Sequence, residues 1–306
     1  MQVRSICYEE LDRYSSLSSN DNAGFKDELL QWIEAGKTKL EWCFAVEDNN
    51  EFLGRIIYGI FKDEPEDLKI WDMSLSDIGC NLSCICEMLL RESISDMRQR
   101  NFKTIEYHLY SNNSSSFEEC KELFIKSGFK VMQEKKSFVC SKTDINYLSD
   151  RLMFRSLGEV GEDKFICAIE RVTENTLDQD DLNCVNEYGP REAAIKYFSI
   201  LKEIDFNRDW WKLAYKDKTE FVGLIVPQKF NDDIGAINYI GVDPEKRGNA
   251  YGSELLREGT KTLFNNGIKQ IIADIDISNF PMENILNKHG YEFDNSMVVL
   301  KMELCR

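Results

Sequence analysis

Histidine is almost missing from this 306-residue sequence. His108 and His289 are the only two, and neither lies in a His-Glu-x-x-His helix or beside a Gly-x-Ser-x-Gly elbow. The common zinc-protease and serine-hydrolase layouts are therefore excluded. No uninterrupted 18-residue apolar run occurs, so no membrane-spanning helix is expected. Basic residues are also short: Lys+Arg 38 stand against Asp+Glu 54, a formal net charge of −16. A chain this acidic is not expected to bind nucleic acid or an anionic membrane, and cationic acceptors such as amines suit it better. The Gly-Lys-Ser/Thr of a P-loop and the complete Gly-x-Gly-x-x-Gly of a dinucleotide fold are absent as well. The start, Met1 to Tyr14, has no long apolar leader, and ten cysteines without one give a cytoplasmic, reducing location as the expectation. Cys80, Cys84 and Cys86 cluster, but no second Cys or His pair stands at zinc-finger spacing, so no metal is expected.

The chain that remains is 42% apolar and 11% aromatic, enough for two cores of ordinary domain size. Its two halves repeat one plan. Residues 41–61 and 210–230 both read strand, turn, strand. Ala45, Asp48, Glu51, Phe52 and Gly54 match Ala214, Asp217, Glu220, Phe221 and Gly223 at a constant offset of 169. Such identity without a gap points to duplication. Downstream, Lys126-Ser127-Gly128-Phe129 corresponds to Lys288-His289-Gly290-Tyr291, and Asn112 to Asn279. In the first half the pattern predicts a strand over 68–75, a helix over 82–97, a strand over 103–110, a helix over 117–127 and two short strands within 129–140. In the second it predicts a first strand within 151–156, helices over 162–171 and from 191 to 204, a strand ending at Val242, and a helix from Tyr251. After these come a strand over 270–277, a helix over 281–289, and two short strands at 291–293 and 297–304. Domains are expected at 1–140 and 151–306, joined by a polar link at 141–150.

The most informative stretch runs from Ile237 to Gly252. Ile237, Tyr239 and Gly241 alternate with Ile240 and Val242 as in a mostly buried strand. Pro244 ends it, and small residues Gly248, Ala250 and Gly252 bare the backbone where a helix begins. Exposed amides at the positive end of a helix form an anion site suited to a pyrophosphate, with Arg247 adjacent. Glycines placed there only for close packing would give the same pattern.

Val242-Asp243-Pro244 followed by Arg247-Gly248-Asn249-Ala250-Tyr251-Gly252 resembles motif A of the GNAT superfamily of acyl-CoA-dependent N-acetyltransferases, with Ala250 at the first family glycine. Asn279, Pro281, Met282, Gly290 and Tyr291 resemble its second block. The resemblance implies a mixed α/β (α+β) fold of two tandem GNAT-like domains, each a mostly antiparallel splayed sheet flanked by helices. It implies acetyl-CoA as acyl donor, no metal, and a small-molecule or peptide primary amine as acceptor, attacked directly in a ternary complex. By the same resemblance Ile240, Gly241, Val242, Arg247, Gly248, Asn249, Ala250, Tyr251, Gly252 and Asn279 hold the cofactor. The early helices of the domain place Glu170, Glu174, Tyr188 and Glu192 as acceptor contacts. Asn81, Cys84 and Cys86 align under Arg247, Ala250 and Gly252, so the N-terminal copy has lost the cofactor loop and reads as degenerate.

Two residues that many relatives use as base and acid are replaced here, by Ala236 and Leu286. Asp274 and Asp276 are the substitutes that spacing offers. Lying two apart in a strand they share a face, either holding a cationic amine or facing solvent. Tyr239 is a further candidate acid. Trp210 and Trp211 read as core. The alternative to an enzyme is a non-catalytic acyl-CoA-binding or regulatory protein of the same fold.

Overall fold

A computed structural model describes residues 1–17, 24–61, 64–76, 82–111, 117–141, 151–204 and 206–304. Cys80, Asn81, Asn112 and all of the expected link except Ser141 lie outside these. The elements in chain order are β1 (Gln2–Ser5), α1 (Leu11–Ser15), α2 (Phe25–Glu34), β2 (Cys43–Asp48), β3 (Glu51–Phe61) and β4 (Glu64–Leu75). There follow α3 (Leu82–Arg98), β5 (Thr104–Tyr110), α4 (Phe117–Lys126) and β6 (Lys130–Cys140). The second half contains β7 (Met153–Ser156), α5 (Leu157–Val160), α6 (Glu162–Thr173), α7 (Gln179–Tyr188), α8 (Pro190–Ile204), β8 (Lys212–Lys216) and β9 (Glu220–Lys229). It ends with β10 (Ile234–Val242), α9 (Tyr251–Asn265), β11 (Gln270–Asp276), α10 (Phe280–Lys288) and β12 (Glu292–Glu303). The class is mixed α/β, as the resemblance implied. Among the described residues no helix is long and apolar enough to cross a membrane.

Two compact units form, and they are not the two halves of the chain. The first comprises Met1–Met132 with Val298–Arg306, the second Gln133–Met297. The chain enters the second unit within β6 and leaves it within β12. In the first unit the strands run β1-β2-β3-β4-β5, with β12 beside β5, and Leu304 N–H donates to Lys103 C=O at 2.8 Å. In the second they run β6-β11-β10-β9-β8-β7. Domain limits at 1–140 and 151–306 are corrected accordingly, because each unit takes its closing strand from the other half of the chain.

The short strands expected at 129–140 and 291–304 are single long ones. The run Gln133-Glu134-Lys135-Lys136 suggested a turn, but its polar side chains find partners within the second unit. Gln133 is buried and donates to Asp276 at 3.0 Å, Lys136 pairs with Glu283 at 2.7 Å, and Lys135 lies 3.8 Å from both Asp178 and Asp180. A strand can carry polar side chains inward where partners such as these meet them.

The second unit packs helices on both faces of its sheet. On one face Leu255, Leu256 and Leu263 of α9 meet Ile225, Ile237 and Ile271. On the other, Phe165, Ala168 and Ile169 of α6 and Ala194, Phe198 and Leu201 of α8 surround Trp211 with Leu224 and Val226. Trp211 is fully buried, with ring centroids of Phe165, Phe198 and Phe206 at 5.8, 5.8 and 5.2 Å. Aromatic contacts of this kind add about 0.5–1.5 kcal/mol each beyond burial. The tryptophan is core, as expected.

Within β10 the register against β9 slips between Ile237 and Tyr239. The slip is a bulge, which bends the strand and re-aims the side chains beyond it. It corrects the simple alternation read from sequence: Ile237, Ile240 and Val242 share the α9 face, while Tyr239 faces α6 and α8.

Because β6 pairs with β11 from Ile271↔Cys140 to Asp276↔Lys135, a fragment of residues 151–306 leaves that edge bare. Expressed alone, it is expected to aggregate or to melt without a cooperative transition in circular dichroism. A monodisperse, cooperatively melting fragment would show β6 to be dispensable.

Candidate functional site

The site begins where two strands part. β10 pairs in parallel with β11 only over Ile234↔Gln270, Gly235↔Ile271 and Ala236↔Ile272. β10 continues to Val242 and β11 to Asp276, each held on its outer side by β9 and β6. The facing backbone edges are left unpaired across a cleft of about 500 Å³. An unpaired strand edge invites an extended, amide-bearing partner.

The wall opposite is the C-terminal end of α6, fixed against the end of β10. A Cβ built on Gly241 would lie 2.5 Å from Val172, so only glycine allows this approach. Arg171 grips Asp243 with two hydrogen bonds, at 3.1 and 3.2 Å. Arg247 donates to the carbonyls of Val172, Glu174 and Asn175 at 2.8–2.9 Å, and to Val242 at 3.2 Å. Its guanidinium thus satisfies the open end of α6, a placement that complements the negative end of the helix. The structure gives Arg247 a clamping role where the resemblance assigned it to a phosphate.

Beyond the clamp, Arg247, Gly248, Asn249 and Ala250 are exposed. Gly248 has φ +81° and Ala250 φ +62°, so Ala250 adopts the left-handed backbone a glycine usually supplies. That conformation costs a non-glycine residue about 1–2 kcal/mol. Asn249 braces the turn by donating to the carbonyls of Lys246 and Arg247. The amides of Gly248, Asn249, Ala250, Tyr251 and Gly252 find no acceptor among the described residues, and α9 has no side-chain cap. This is a row of free donors at the positive end of a 15-residue helix.

Not every expected cofactor residue faces a ligand. The Tyr251 side chain is buried under Arg151, whose guanidinium lies 5.0 Å from the ring and donates to Asn249 C=O at 3.0 Å. Gly252 serves packing, since a Cβ there would meet Ile285 at 2.8 Å. Asn279 caps α10 by accepting from Met282 N–H at 3.2 Å, and it lines the cleft together with Ile240 and Gly241.

The two strand aspartates separate in role. Asp274 is exposed and lines the cleft. Asp276 is buried, and its Oδ2 accepts from Gln133 Nε2 at 3.0 Å and from Gln179 N–H at 2.8 Å. Burial raises its pKa, against the pull of those two donors. Asp276 therefore fastens the start of α7 to β11.

That helix carries the residue that sequence reasoning missed. Asp178 caps α7 by accepting from the amides of Asp180 and Asp181 at 3.0 and 3.1 Å. Asp181 then points at Tyr239, whose hydroxyl donates to Oδ2 at 3.1 Å and lies 2.9 Å from Thr173 Oγ1. Burial, and next the Asp178 charge, push the Asp181 carboxyl up to about 7. Burial and the Asp181 charge raise the Tyr239 phenol well above its usual range, so it stays protonated. The stretch 176–182 is strongly acidic, and α7 buries no side chain fully, which leaves its helical periodicity faint. Its one usable signal was an Asp cap before Leu182 and Val185.

The four expected acceptor contacts lie outside the cleft lining. Glu170 pairs with Arg191 at 3.3 Å and Glu174 with Arg171 at 2.8 Å. Tyr188 is exposed beneath Lys196, and Glu192 is exposed. Among the described residues no group of His, Cys, Asp and Glu side chains converges to hold a metal ion.

Residues 176–291 match the family model described as acetyltransferase (GNAT) family. A GCN5-related N-acetyltransferase from Sphaerobacter thermophilus is similar over 100% of this chain and 96% of its own, at TM-score 0.65 and 13% identity. A tandem GNAT protein from the clavulanic acid biosynthesis pathway is similar over 100% and 99%, at TM-score 0.53 and 10% identity. The glucosamine N-acetyltransferase region of a fungal multi-domain β-N-acetylglucosaminidase covers 98% of this chain and 38% of its own, at TM-score 0.59 and 10% identity. At such identity these likenesses speak for the fold alone. No curated protein matches the sequence. The parted strands and the free amides ahead of α9 all fall within residues 176–291, the stretch that matches the acetyltransferase (GNAT) family, and the chain as a whole has the fold of GNAT proteins.

Proposed function

We propose that the protein transfers an acetyl group from acetyl-CoA to a primary amine, by direct attack within the cleft of the second unit. The observation that carries this reading is the Asp181–Tyr239 pair, a carboxylate tuned to about 7 beside a protonated phenol, facing the gap between β10 and β11. A non-catalytic acyl-CoA binder of the same fold has no need of a carboxylate tuned to neutrality; a general base does.

The residues fit the donor. The free amides of Gly248 to Gly252 suit a pyrophosphate, and the unpaired edge of β10 at Ile240 to Val242 suits an extended arm carrying its own amides. Acetyl-CoA, when bound there, supplies the thioester acyl group. Ionised Asp181 draws the acceptor's ammonium into the cleft and takes up its proton, so that the amine is free to attack. Tyr239 donates its phenol proton to Asp181 and so holds the carboxylate in place; as the new C–N bond forms and the C–S bond breaks, the proton taken up by Asp181 is the one available to the departing thiolate. Asp276 positions α7, and Asp274 adds a second negative charge to the acceptor side. Asp274 is proposed to act on the cation and Asp276 only through α7, neither of them as the base. Holding the reactants in one geometry supplies most of the remaining acceleration.

Asp181 must be ionised to act, so kcat is expected to rise with pH, with a midpoint near 7, and then level off. Asp181→Asn is expected to lower kcat by about 10²–10⁴-fold and to remove this limb. A folded-state pKa above that of the unfolded chain means the ionised carboxyl costs stability, which is lost as pH rises toward 7. Asp181→Asn is therefore expected to melt above the parent at pH 8, the gap closing toward pH 4. A variant of normal activity and an unchanged pH profile would remove Asp181 from the mechanism.

A further inference from the structure

The cleft has two kinds of wall. Charge gathers at one side, where the start of α7 meets β6 and β11. Lys135 there lies within 3.8 Å of both Asp178 and Asp180. Asp181 and Asp274 have no ion-pair partner among the described residues, which leaves the pull on an ammonium group to them. Toward the other side the lining turns apolar. Ala193, Ala194 and Ala236 are buried yet border the cavity, so small side chains leave space where α8 approaches β10. At the rim stand Ile200 and Phe230, large apolar residues that remain 55% and 51% exposed while lining the same cleft. Water-facing apolar residues on a concave wall mark a surface completed by a ligand.

Resting on the acetyl-transfer reading above, we propose that the acceptor is a primary amine carried on an apolar body, such as an arylalkylamine. Its ammonium group sits against Asp181 and Asp274, and its body fills the space over the three alanines and covers Ile200 and Phe230. A hydroxylated or polycationic amine would leave that apolar wall wet.

The test measures acetyl-CoA-dependent thiol release by the full chain with 2-phenylethylamine, ethanolamine and spermidine, and amine binding by calorimetry in the presence of CoA. We expect kcat/KM for 2-phenylethylamine to exceed that for ethanolamine by about tenfold or more, the discrimination typical of an apolar pocket. Ile200→Ser and Phe230→Ser, at half-exposed positions where folding tolerates a polar residue, should each raise KM for 2-phenylethylamine several-fold. The values for ethanolamine should move less than twofold. A preference for ethanolamine or spermidine overturns the acceptor class while leaving acetyl transfer intact. Binding of 2-phenylethylamine that depends on Ile200 and Phe230 but gives no acetylated product supports the site and overturns the transfer reading instead. No binding of 2-phenylethylamine overturns the proposal.

Discussion

Everything at the site depends on two parallel strands separating after three residue pairs. Had β10 and β11 stayed paired beyond Ala236 and Ile272, their backbone groups would be satisfied by each other and no cleft would exist. The parting is held from both sides. The bulge near Asn238 turns β10, and β9 stays with it to Val242. On the far side β6 keeps β11 in register to Asp276. The backbone groups left facing one another are costly unless water or a ligand reaches them, so the open strands amount to a standing demand for an extended polar guest.

The second supporting feature is the route of the chain. β6 comes from the first half, yet it supplies Gln133, Lys135 and Lys136 to the second unit. Through Gln133 and Gln179, Asp276 joins β6, β11 and the start of α7 in one hydrogen-bonded corner. That corner sets where Asp181 stands. The first half of the chain therefore belongs to the account of the site, since one of its strands completes the wall behind Asp181 and Asp274.

Much of this was legible in the sequence. The repeat, the hairpins, the strand before Pro244 and the glycine-rich turn into α9 all come from local periodicity and turn chemistry, and they stand where the pattern put them. Strand exchange was not legible, because Lys130–Cys140 and Glu292–Glu303 pair with partners far away in sequence, and their polar middles resemble turns until those partners are in view. The bulge in β10 was hidden for a related reason: it moves Tyr239 to the opposite face from Ile237 without leaving any mark on composition. Asp181 was missed because an exposed helix carries little hydrophobic signal. Arg247 was read as a ligand for phosphate because a cation beside bare amides suggests one. Only the fold shows that the end of α6 arrives first and takes its hydrogen bonds.

The central claim, that the amides ahead of α9 and the parted strands receive acetyl-CoA, is tested most directly by calorimetric titration of the full chain and of Ala250→Asp. Aspartate tolerates the left-handed backbone at this position better than most residues, so the variant keeps its fold while placing a carboxylate among the free amides. The account predicts one acetyl-CoA site per chain, weakened by about tenfold or more in the variant. Absence of binding, a second equivalent site, or undiminished affinity in Ala250→Asp would contradict it.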